Sequence, residues 1–147
     1  MLIYKCEICN DYEILSDKIP EYCKNCGAQN GPWEKIREVI TISFGDNKYI
    51  IYKNQELGRK EMKSFFNALK DDIGNSIYKY CETDKPMLLF RFNELGEIYV
   101  FSEEKTQNYF ILNNSKIENL RLKVNKNDKL NLFSSKLNKI IISFDII

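Results

Sequence analysis

The chain has 147 residues, a formal net charge of +1 and no histidine. Balanced charge argues against a strongly basic nucleic-acid binder. The missing imidazole excludes a zinc hydrolase of the usual histidine-ligated type, and no run of eighteen apolar residues marks a membrane-spanning helix.

The first chemistry along the chain is two pairs of cysteines, Cys6 with Cys9 and Cys23 with Cys26, separated by thirteen residues. Thiolates two residues apart can grip one ion from a single tight turn, and two such turns close a tetrahedral cage. Gly27 follows the second pair, where the chain must turn with its amides toward sulfur, and glycine permits the positive φ this needs. Asn10 holds the matching place after the first pair, and asparagine is the next most tolerant residue of that geometry. Two disulfides are the competing use of four cysteines. No charged and apolar leader is read in the five residues before Cys6. The expected compartment is therefore the reducing cytoplasm, which disfavours disulfides.

With four thiolates and no open coordination position, the expected site is structural. Zinc is the default ion and iron the rival, because both fit tetrahedral sulfur. Pro20 and Glu21 before Cys23, then Gly27, Ala28, Trp33 and Glu34 after it, resemble a rubredoxin-like ribbon over about the first 36 residues. That resemblance implies an iron electron carrier as one alternative function.

After Trp33 the pattern changes. Residues 38–44 alternate as a strand, Gly45, Asp46 and Asn47 signal a turn, and residues 48–53 read as the returning strand. Met62, Phe65, Phe66, Leu69 and Ile73 recur at three- and four-residue intervals, which predicts a helix over 60–73 stopped by Gly74. The stripe is read as core. Cys81, with no histidine to activate it, is read as a small buried residue and not a nucleophile.

Short apolar runs then follow at 87–92, 97–101, 109–112, 120–124, 130–133 and 140–144, separated by turn residues. Many short strands at near-regular spacing predict a β-sandwich or barrel. Lys116, Arg121, Lys123, Lys126, Lys129, Lys136 and Lys139 outnumber the acids of this region. On alternating strands such charges form the wet face of a sheet. A zinc-ribbon nucleic-acid binder is the other alternative they raise.

Three segments carry a family resemblance. Thr106, Asn108 and Asn113 fall in register with the Ser-x-Asn-Gly-Thr-x-x-Asn-Gly stretch of the forkhead-associated (FHA) domain. Asn127, Asp128, Lys129 and Leu130 are similar to its Gly-Asp ending, and Gly58 with Arg59 to its Gly-Arg element. The resemblance spans about residues 38–146. It implies an antiparallel sandwich that binds phosphothreonine peptides: Arg59 clamps phosphate, Lys85 adds a point charge, Thr106 a hydroxyl, and Asn108 holds the peptide backbone. Asp84 stands where the family has a phosphate-donating serine, and an ionised carboxylate cannot donate. Thr83 supplies a hydroxyl one residue earlier. Met87 replaces the family's histidine, and Tyr109 its glycine.

The expected architecture is mainly β: a small metal ribbon at 1–36, then an FHA-like antiparallel β-sandwich at 38–147 with one inserted helix. No paired catalytic carboxylates, Gly-rich phosphate loop or Ser/His/Asp set is present. The expected function is non-enzymatic adaptor work on a protein partner.

Overall fold

The computed structural model describes residues 2–10, 12–29, 31–82 and 85–147, with the side chains of residues 35–38 set aside. The chain is mainly β and divides into two compact units, Met1–Val39 and Ile40–Ile147.

The first unit is one antiparallel sheet in the order β2-β1-β3, formed by β1 (Leu2–Cys6), β2 (Glu13–Ser16) and β3 (Trp33–Glu38). Its described buried side chains are few: Ile3, Tyr4, Val39 and the two cysteines Cys6 and Cys23. Ile8, Ile19 and Tyr22 remain exposed. So small an apolar core cannot offset the entropy of ordering the chain, and such segments need a staple.

Among the described residues, the second unit holds ten strands in two antiparallel sheets. β4 (Ile40–Phe44) and β5 (Asn47–Ile51) form a hairpin across Gly45 and Asp46, with Gly45 at φ 58°. β6 (Gln55–Leu57) leads into α1 (Arg59–Phe66) and a 3-10 turn at Ile77–Tyr80. β7 (Leu88–Phe92) and β8 (Ile98–Phe101) pair across a turn in which Asn93 Oδ1 accepts from the Leu95 and Glu97 amides. β9 (Asn108–Leu112), β10 (Ser115–Lys116), β11 (Leu122–Val124), β12 (Lys129–Ser134) and β13 (Lys139–Ile146) complete the chain.

One sheet runs β10-β9-β12-β13-β4-β5 and the other β11-β8-β7-β6. Their inward residues merge into one core that includes Ile42, Leu88, Phe90, Phe110, Leu132 and Phe144. The period of two is visible in β13, where Ile142, Phe144 and Ile146 are buried while Ser143 and Asp145 face out. Phe66 closes the core from α1, its ring 4.9 Å from that of Phe144.

The helix has eight residues, shorter than the 60–73 span the apolar stripe predicts. It stops at Phe66, and Ile73 is 76 % exposed. Asp71 explains the difference: its Oδ1 accepts from the Ile73 and Asn75 amides, and the Gly74 amide donates to the Asp71 carbonyl. An aspartate that bonds nearby amides offers the backbone a turn in place of a helix. Gly74, at φ 90°, belongs to that turn and not to a helix cap. Among the described residues, no helix is long and apolar enough to cross a membrane.

Candidate functional site

The four N-terminal cysteines converge. Their sulfur atoms all lie within 4.8 Å of one another. Cys6 Sγ is 3.9 Å from Cys26 Sγ, and Cys9 Sγ is 3.8 Å from Cys23 Sγ. Sulfurs at about 2.3 Å from a tetrahedral ion stand about 3.8 Å apart, so the donor set fits a metal. A disulfide would bring two of them to about 2.0 Å, and none of the four is in a disulfide.

The turns that deliver the ligands are built alike. The Asn10 amide donates to the Cys6 carbonyl at 3.0 Å, and the Gly27 amide to the Cys23 carbonyl at 2.8 Å. Both residues take left-handed backbone, Asn10 at φ 58° and Gly27 at φ 76°. Amides also reach sulfur: Cys26 N–H donates to Cys23 Sγ at 3.4 Å and Asn25 Nδ2 to Cys9 Sγ at 3.5 Å. Donors aimed at sulfur favour the thiolate, the form that binds metal.

The second candidate lies in the sandwich unit, where the segment between α1 and β7 meets the loop between β8 and β9. Gly58 packs against residues 85–87, and a Cβ built on it would stand 3.1 Å from Pro86 Cα. The Met87 amide donates to the Leu57 carbonyl. Lys85 Nζ lies 3.7 Å from Glu104 Oε1. Asn108, buried in β9, reaches across to donate to the Tyr80 carbonyl at 3.0 Å and to Glu82 Oε1 at 2.7 Å. Arg59 abuts the same segment, its guanidinium 5.8 Å from the Tyr78 ring centre, with Lys63 Nζ 5.7 Å from the same ring. Burial pushes the Cys81 thiol up to about 12, with Arg59 pulling it down and Glu61 and Glu82 pushing it up. A buried thiol so raised is a poor nucleophile.

These contacts assign jobs to the residues the sequence singles out. Arg59 leans on tyrosine, and Lys85 is paired with a carboxylate. The Thr106 hydroxyl donates to the Asn108 carbonyl. Both amide hydrogens of Asn108 are used within the chain. Thr83 and Asp84 lie outside the described residues. Glu82 and Glu104 carry no motif that would mark them, yet they engage Asn108 and Lys85. Asn113 makes a turn, at φ 54° with its Oδ1 accepting from the Lys129 amide.

The lysine-rich tail is laced with counter-charges. Lys116 pairs with Glu118, Lys123 with Glu97, Lys129 with Asp145 and Lys139 with Asp72. Arg121 stands 5.0 Å over the Phe101 ring. No family model matches the chain, and no curated protein or solved structure matches it.

Proposed function

We propose that the chain is a non-enzymatic docking protein of a reducing compartment, the cytoplasm, in which a structural zinc ribbon precedes a divergent FHA-type sandwich. The loop end around Gly58, residues 81–82, 85–87 and 102–108 receives a segment of a partner protein. The observation that carries the reading is the Asn108 side chain. It is a buried strand residue spent on tying the segment of Tyr80 and Glu82 to the start of β9 at one end of the sandwich. Loops held in place by a scaffold are where recognition residues concentrate. A phosphothreonine-bearing segment is the ligand class that the FHA resemblance implies.

Titration of a phosphothreonine peptide library against the wild type and Arg59→Ala tests this. A charge-assisted hydrogen bond is worth about 1.5–3 kcal/mol, so binding should weaken roughly ten- to a hundredfold without the guanidinium. A library with no ligand, phosphorylated or not, would remove the docking role.

A second reading, electron transfer by an iron tetrathiolate, is favoured by the two N–H donors aimed at Cys23 and Cys9. Iron would make the purified protein red and bleach it on reduction. A colourless protein with one zinc per chain ends that reading.

A further inference from the structure

The four cage cysteines are not equally covered. Cys6 and Cys23 are buried, Cys9 is half-buried and Cys26 is exposed. Cys26 stands in an exposed run from Lys24 to Gly27, the tip of the second turn. Hydrogen bonding does not separate the sulfurs in the same way: N–H groups reach Cys9 from Asn25, Cys23 from Cys26, and Cys26 from Ala28. Exposure therefore ranks them. A second sulfur is already in place beside the exposed one, with Cys6 Sγ 3.9 Å from Cys26 Sγ. Cys81, the fifth cysteine, is fully buried in the core of the other unit.

We infer that Cys26 is a site of oxidative modification, the point at which a hydroperoxide attacks the cage and opens it. Metal ligation holds a cysteine as thiolate, the nucleophilic form. Susceptibility to peroxide follows thiolate character and exposure, and a sensor cysteine sits next to a resolving one. Cys26 meets these conditions. With hydrogen peroxide, its sulfur attacks one oxygen: an S–O bond forms, the O–O bond breaks and hydroxide leaves. A second thiolate, with Cys6 in position, then attacks the oxidised sulfur. An S–S bond forms and a second hydroxide leaves. Two thiolates have given two electrons to one peroxide. Sulfurs in a disulfide are lost as thiolate ligands, so the ribbon gives up its ion while residues 40–147 are untouched. The inference rests on the structural-metal reading of the ribbon and not on the docking reading of the sandwich.

The experiment gives the full chain, its metal content first measured, a limiting dose of hydrogen peroxide. Dimedone traps sulfenic acid, mass spectrometry maps each cysteine, and a chromogenic chelator follows metal release. Cys26 should carry the first adduct, ahead of Cys6 and Cys23 by roughly tenfold or more, with Cys81 unmodified. Without dimedone, the first disulfide should contain Cys26, and about one metal should leave per disulfide formed. Cys26→His keeps a fourth ligand of a kind zinc accepts and takes the exposed sulfur away. Its metal release at the same dose should slow roughly tenfold. If that variant binds no metal, the wild-type map decides. Equal labelling of all four cage cysteines, or a first adduct on Cys6, Cys9 or Cys23, would overturn the inference and leave the metal ribbon standing. So would a chain whose Cys26 is oxidised with its metal retained. A chain that holds no metal as purified ends the ribbon reading, and the inference falls with it.

Discussion

The two units of this chain reach order by opposite means. The sandwich buries one continuous apolar core between its sheets. The ribbon buries Ile3, Tyr4 and Val39, and its remaining described interior is cysteine. A core stabilises a fold in proportion to the area it removes from water, whereas a tetrathiolate site concentrates its free energy in four bonds. The difference predicts that each unit fails under a treatment the other survives.

Metal removal is the largest expected effect. Structural zinc supplies about 10–16 kcal/mol in small ribbons near neutral pH, more than a segment with so few buried side chains can hold by other means. A strong chelator, or Cys23→Ser, should therefore unfold residues 1–39. Amide spectra should show those signals collapsing while the signals of residues 40–147 stay. Loss of both sets together would break the comparison.

Next in size is Phe144→Ala. This side chain is fully buried and packs against Phe66 and Phe44. Phenylalanine truncation in a core costs about 3–5 kcal/mol. Thermal unfolding of the sandwich should fall by many degrees, with metal content of the chain unchanged. A parallel loss of metal would mean that the ribbon depends on the sandwich.

Gly58→Ala is the smaller test and sharpens the docking end. The added methyl would stand 3.1 Å from Pro86 Cα and 3.4 Å from the Lys85 carbonyl oxygen. Backbone must move to accept it, at about 1–3 kcal/mol. Amide signals of residues 85–87 should shift while those of the cysteine turns stay. Unchanged signals at 85–87 would show that this contact does not position the loop.

The ribbon was legible because its information is local. Cys-x-x-Cys spacing, with Gly27 and Asn10 one place beyond, specifies each turn within five residues, and both take the left-handed backbone their types allow. The strands of the sandwich were legible where alternation runs for five residues or more. β10 has two residues and β6 three, too short for a period of two to declare itself. The helix misled because Leu69 and Ile73 extend a correct stripe past Asp71, whose carboxylate makes a turn that no periodicity reveals.

The sequence by itself determined the four-cysteine cluster that could hold a metal ion, the mainly β class and the inserted helix, since each rests on neighbours in the chain. Only the tertiary structure decided what surrounds Asn108. Its partners lie 28 and 26 residues away, and pairing at that separation is set by how two sheets close on one core. Glu82 looked like one surface acid among many until that closure put it against a buried amide.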